Sequence, residues 1–257
     1  MLATEIIKKL QPWIEANKRP TWKPLVEEGE TDTNLSKFGG TPWLAKNENY
    51  PCCGECNAKM PLFVQVDLNQ VPAELAGKFG QGLLQLFYCT ECDSWEYFNH
   101  TKLARIIQPV GNAQNLENQD FPSFPAKTII DWQQFDDYPD NQEYEELGLE
   151  IYLNLFPETV RIKCPMVGLS IEDLAPEELE EIDVFLENHS GDKLGGYPYW
   201  VQGIEYPNCP ICQTRMDLVL QIDSEENLPY MFGDVGCGHI TQCPEHKHIL
   251  TFGWACC

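Results

Sequence analysis

Positive charge is what this chain has least of. It carries 17 Lys and Arg against 40 Asp and Glu, a formal net charge of −23. A surface of that sign repels phosphate backbones, which argues against direct binding of nucleic acid. Long apolar runs are missing as well. No stretch approaches the roughly 20 residues of a membrane-spanning helix, so no membrane association is expected. The first ten residues mix Glu5, Lys8 and Lys9 with short apolar pairs and lack the continuous apolar segment of a signal peptide. The expected location is therefore cytoplasmic. Histidine is scarce, five in 257 residues, and none precedes His100. Around the first cysteine pair this excludes the zinc-deaminase arrangement, which needs a His-x-Glu upstream. His189-Ser190-Gly191 fails the same pattern before the second pair, and no His-Glu-x-x-His is present. No catalytic residue is assigned.

Cysteine, by contrast, is plentiful at twelve. A reducing location argues against disulfides, and the spacing argues for metal. The chain repeats itself: Lys37-Phe38-Gly39-Gly40-Thr41-Pro42 returns as Lys193-Leu194-Gly195-Gly196-Tyr197-Pro198, and Cys53-Gly54-Glu55-Cys56 returns as Cys209-Pro210-Ile211-Cys212. Between 37–67 and 193–223, 12 of 31 positions are identical without a gap, against about two expected from average residue usage. Cys89-Thr90-Glu91-Cys92 returns as Cys243-Pro244-Glu245-His246 at an offset two residues shorter. Each copy thus holds a CxxC and then a CxxC or CxxH, the pattern of a tetrahedral zinc site. The expected ligands are Cys53, Cys56, Cys89 and Cys92 for one ion, and Cys209, Cys212, Cys243 and His246 for a second. Four good ligands at each site point to closed, structural zinc rather than to an open catalytic position. Cys52, Cys237, His239 and His248 lie close enough in sequence to replace an assigned ligand. Cys164, Cys256 and Cys257 read as packed thiols. Gly39-Gly40 and Gly195-Gly196 read as tight turns before extended segments, with phosphate cradling as the alternative.

Apolar spacing predicts an amphipathic helix over 4–17 and a second over 176–188. Residues 18–36 read as irregular. Strands are expected at 62–67, 83–88, 104–110, 127–132, 159–163, 218–222 and 249–252. The acidic stretch 135–150 reads as a solvated connection or a short helix. The expected fold is α+β and strand-rich, an internal duplication of two similar halves with zinc knuckles and a few flanking helices. Its expected parts are 1–36, an N-terminal helix and connection; 37–110, repeat one; 111–190, a central acidic segment and helix; and 191–257, repeat two.

Gly-Gly-x-Pro, the strand ending Leu220-Gln221-Ile222-Asp223, Phe232-Gly233-Asp234-Val235-Gly236 and Gly253-Trp254-Ala255-Cys256 resemble the YwqG-like family of unknown function. Many members of that family lack the cysteine knuckles, so the zinc expectation rests on this chain's own residues. Gly39, Gly40, Pro42, Cys53, Cys56, Gln65, Cys89 and Cys92 are also similar to programmed cell death protein 2 and its relatives, a resemblance that implies protein binding of a chaperone kind. The expected function is a zinc-stabilised, non-enzymatic protein-binding module, chaperone-like or immunity-like toward a basic protein partner. The alternatives are a zinc hydrolase using an open second site and a thiol or zinc sensor.

Overall fold

The computed structural model describes residues 3–116, 119–155, 158–175, 177, 182 and 188–256. In chain order the elements are α1 (Ala3–Asn17), β1 (Arg19–Glu28), β2 (Lys37–Phe38), β3 (Leu62–Asp67), β4 (Leu83–Tyr88), β5 (Lys102–Ile107) and β6 (Lys127–Asp137). They continue with β7 (Glu150–Leu155), β8 (Glu158–Cys164), β9 (Leu169–Leu174), β10 (Lys193–Gly195), β11 (Asp217–Asp223), β12 (Cys237–Gln242) and β13 (Leu250–Ala255). The fold is strand-rich α+β, as expected.

The chain divides into two compact units. The smaller comprises Met1–Thr21, Phe135–Ser190 and Gly196–Ile204. In α1, Ile6, Leu10, Trp13 and Ile14 recur at helical spacing and are buried. They form a core with Tyr144, Leu149, Val160, Ile162, Cys164 and Leu169, several of these from the antiparallel sheet β7-β8-β9. Cys164 is buried there, as its packed-thiol reading anticipates. Of the helix expected over 176–188, Glu177 and Ile182 are helical, Asn188 is not, and the other positions lie outside the described residues.

The larger unit comprises Trp22–Gln134, Gly191–Gly195 and Glu205–Cys257. Its sheet is ten-stranded, in the order β13-β12-β11-β10-β1-β6-β2-β3-β4-β5. The runs β2-β3-β4-β5 and β10-β11-β12-β13 are matching antiparallel meanders. Lys37 pairs with Gln65 and Lys193 with Gln221. The β3–β4 ladder slips between Leu62 and Val64, and the β11–β12 ladder slips between Leu218 and Leu220, the same positions one repeat later. A β-bulge bends a strand and strengthens its twist, and here it falls at the same place in both meanders. The end strands β5 and β13 approach one another: Lys102 Nζ lies 5.7 Å from the Phe252 ring, and the Phe98 N–H just before β5 donates to Thr251 Oγ1 at 2.8 Å. Phe63, Tyr88, Phe232, Phe252 and Trp254 fill the core between them.

Three expectations need correction. Residues 18–36 are not irregular throughout, because 19–28 form β1. Trp22, Pro24 and Val26 face inward between the exposed Lys23, Leu25 and Glu27, a period-two signal that two prolines disguise. The stretch 135–150 is not simply solvated. Asp137, Asp140 and Glu143 are buried, Asp137 accepting backbone N–H groups and Asp140 capping the short 3₁₀ turn Asn141–Glu143. Strands β2, β7, β9, β10 and β12 were not expected, and β12 reads Cys-Gly-His-Ile-Thr-Gln without alternation because it is buried along its whole length.

Candidate metal centre

The first half of each centre is a tight hairpin built by local hydrogen bonds. Cys53 N–H donates to Ala58 O at 2.8 Å, Asn57 N–H to Cys53 O at 2.9 Å and Met60 N–H to Pro51 O at 3.0 Å. One repeat later, Cys209 N–H donates to Thr214 O at 2.9 Å, Gln213 N–H to Cys209 O at 2.9 Å and Met216 N–H to Pro207 O at 2.9 Å. Asn57 and Gln213 both take left-handed backbone, φ 60° and 61°, which turns the chain back on itself. The turn leaves the Glu55 and Ile211 N–H groups donating to the Cys53 and Cys209 Sγ atoms, each at 3.4 Å. Amide donors of this kind favour the thiolate.

The second half comes from the ends of β4 and β12. Cys89 N–H donates to Thr101 O at 2.8 Å, and Cys243 N–H to Ile249 O at 3.0 Å. His246 N–H donates to Cys243 Sγ at 3.2 Å. Cys89 and Cys243 are buried, Cys92 and His246 half-buried.

The structure brings all eight predicted ligands into two clusters, Cys53/Cys56/Cys89/Cys92 and Cys209/Cys212/Cys243/His246, with donor atoms inside each lying within 4.8 Å of one another. A tetrahedron with ~2.3 Å metal–sulfur bonds has edges of about 3.8 Å, or about 3.6 Å between sulfur and an imidazole nitrogen. The measured edges are 3.7 Å for Cys53–Cys92, 3.6 Å for Cys56–Cys89 and 3.5 Å for Cys212–Cys243. His246 presents Nδ1 to the cluster, 3.6 Å from Cys243 Sγ and 3.8 Å from Cys209 Sγ. The donor sets and spacings fit a tetrahedral dication, and both clusters can hold a metal ion.

Electrostatics within the clusters point the same way. Burial pushes the Cys53 thiol up, but the backbone N–H groups of Cys56 and Glu55 outweigh it and bring it down to about 7. Hydrogen bonds from the Thr214 hydroxyl and N–H lower Cys212 to about 6. Cys89 and Cys243 are raised, chiefly by burial, and Cys92 by hydrogen bonding to Cys56 and then burial. In each cluster, hydrogen-bond donors thus favour the thiolate at one cysteine, Cys53 or Cys212, and binding of a cation would release protons from the cysteines raised by burial.

The alternative ligands lie elsewhere. Cys52 is exposed and donates to Tyr50 O at 3.4 Å. Cys237 is buried beside Ile222 O, with His239 Nε2 at 3.8 Å. His248 is exposed, its ring edge-on to His246 with centroids 6.1 Å apart.

The glycine pairs are turns already filled by carboxylates. Gly39, Gly40, Gly195 and Gly196 have φ between 61° and 74°. Glu30 Oε1 accepts the Thr41 N–H at 2.9 Å, and a Cβ on Gly40 would lie 2.8 Å from Glu30 Oε2. Asp137 Oδ2 accepts the Tyr197 N–H at 2.8 Å, and a Cβ on Gly196 would overlap it. An anion cradle is present, but the chain's own side chains occupy it. The fully buried Lys37 ammonium pairs with Glu30 and donates to Asp32 O and Thr33 O. Burial pushes Lys37 below its ordinary range, against the pull of Glu30. Sequence reasoning missed Glu30 and Asp137, for which no spacing rule exists. Gln65 carried a readable signal as one of the identities repeated at Gln221: Gln65 donates to Leu35 O and Gln221 to Gly191 O, again one repeat apart.

A family model described as a domain of unknown function (DUF1963) matches residues 36–246, and the resemblance to YwqG-like proteins is consistent with that match. No curated protein matches the chain.

Proposed function

The chain belongs to this family of domains of unknown function, and from its two cysteine clusters we propose that it is a zinc-stabilised, non-enzymatic protein-binding module whose partner is a basic protein. The observation that carries the proposal is the pair of four-donor cages with tetrahedral edges of 3.5–3.8 Å. When bound, zinc supplies a cross-link between distant hairpins, and the chain's own residues supply the rest. The Glu55, Ile211 and His246 N–H groups neutralise part of the thiolate charge. Four protein donors at each cage leave no position for water or substrate, which favours a structural role.

The net charge of −23 supports a partner of opposite sign, through steering and complementary contacts. A chaperone-like or immunity-like relation to such a partner belongs to this reading, as does a cytoplasmic location. The hydrolase alternative requires His246 to leave the second cage and open a coordination position. Native mass spectrometry of untagged protein tests the metal part: two zinc ions per chain support it, and none overturns it. A binding titration against basic protein at low and at high salt tests the partner part. Salt-sensitive association supports it, and no association at low salt overturns it.

A further inference from the structure

Four large apolar side chains stand exposed on two adjoining loops of the larger unit. Trp95 (54% exposed) and Phe98 (43%) lie on the loop between the first metal cluster and β5; Met231 (40%) and Val235 (64%) lie on the loop between β11 and β12. The loops are tied together where Tyr230 OH donates to Asp93 Oδ1 at 2.6 Å.

Both loops are held in shape at some cost. Phe98 and Val235 have φ of 55°, left-handed backbone that an aromatic or β-branched residue enters only when its surroundings force it. Phe98 N–H is anchored to Thr251 Oγ1, and the Tyr97 ring packs where Gly253 has no Cβ, an added carbon falling 2.5 Å from it. Lys102 Nζ donates to Ser94 O and Glu96 O, so this cation is spent on the loop's backbone. On the other loop, Ser224 Oγ donates to Gly236 O and accepts the Phe232 N–H. Exposed carboxylates neighbour the apolar groups along the chain: Glu96 follows Trp95, and Asp234 precedes Val235.

Preordered apolar anchors, an exposed Trp among them, with an acidic rim are the features of a binding hot spot. We infer that Trp95, Phe98, Met231 and Val235 form the docking face for a segment of another protein that combines apolar side chains with lysine or arginine. The inference rests on the basic-partner reading and adds to it a location and an apolar requirement.

The test uses the full chain and three fluorescein-labelled 16-residue peptides, followed by anisotropy. The first has Leu and Phe on one helical face and Lys on the other; the second has Ser in place of Leu and Phe; the third has Glu in place of Lys. The first should bind at least about tenfold more tightly than either other, and the double variant Trp95→Ala/Val235→Ser should lose at least about tenfold in affinity for it. Val110→Ser, an exposed apolar change elsewhere, should lose nothing. Equal binding of the first and second peptides, or undiminished binding by the double variant, overturns the docking face while leaving the basic-partner reading standing. Failure of both lysine peptides to bind overturns both.

Discussion

The two cysteine cages share a backbone and differ in their surroundings. The hairpins at Cys53–Cys56 and Cys209–Cys212 share the same three backbone hydrogen bonds, and the first adds one from Gly54 N–H to His100 O that Pro210 cannot make. Among the described residues, however, the first cage sits with buried Leu44, Met60, Leu62, Phe87 and Leu116, flanked by Tyr50, Leu103 and Phe121, whereas the second is packed only by Met216 and Ile249. Hairpin geometry follows from a few adjacent residues, so it repeats faithfully. Apolar packing is assembled from distant segments, so it diverges. Opening the first cage exposes a substantial apolar cluster to water, while opening the second exposes little.

That difference can be broken by experiment. The largest effects come from the ligands. Cys89→Ser and Cys243→Ser should each release one zinc, and metal binding at such sites contributes on the order of 10 kcal/mol to folding. Thermal unfolding should show the greater loss for Cys89→Ser, and a chelator should strip the second cage of the wild type before the first. The reverse order in either measurement contradicts the account of the packing.

Next comes the carboxylate that fills the first glycine turn. Glu30→Gln removes the carboxylate paired with the fully buried Lys37 ammonium and leaves only the charge of Asp32 acting on it, and breaking a buried pair costs about 3–5 kcal/mol. Urea unfolding should show that loss. Lys23→Met, which breaks the half-exposed pair with Glu226, should cost under about 1 kcal/mol.

A smaller, pH-dependent effect separates the repeats. Ser36 Oγ accepts the Asp67 N–H at 2.8 Å; one repeat later Asp192 Oδ1 accepts the Asp223 N–H at 2.7 Å. Burial, and then the charge of Glu226, raise Asp192 from 3.8 to about 7. Between those values the folded chain keeps a proton that the unfolded chain has released. Stability from this group is therefore complete below about pH 4 and is lost as pH rises toward 7. Asp192→Asn should flatten this part of the profile in urea melts at pH 4.5 and 7; an unchanged difference between the two melts refutes the assignment. The smallest expected effect is that of Cys52→Ser. Its thiol lies outside the cage, so metal content and melting temperature should match the wild type, and loss of an ion would make Cys52 a ligand.

The sequence made the cages legible because ligand chemistry demands particular residues at particular short spacings, and the repeat chose among candidates: it placed Asn208 opposite Cys52 and left His246 in register with Cys92. The strands at 62–67, 83–88 and 218–222 were legible from their dense apolar runs. What could not be read depends on long-range partners. Asp137 and Glu30 reach the glycine turns across 60 and 11 residues respectively, counted to the amides of Tyr197 and Thr41. The acidic run 135–150 looked solvated because charge dominates its composition, although Asp137 and Glu143 are buried. In β1 the prolines outweighed a sound alternation of Trp22, Pro24 and Val26.

X-ray absorption at the zinc edge on untagged protein, combined with metal counting, reads both ligand shells at once. Two ions per chain are expected, with an averaged shell of seven sulfurs to one nitrogen across the two sites and no light oxygen ligand. A single ion, or an oxygen replacing the His246 nitrogen, would contradict this assignment.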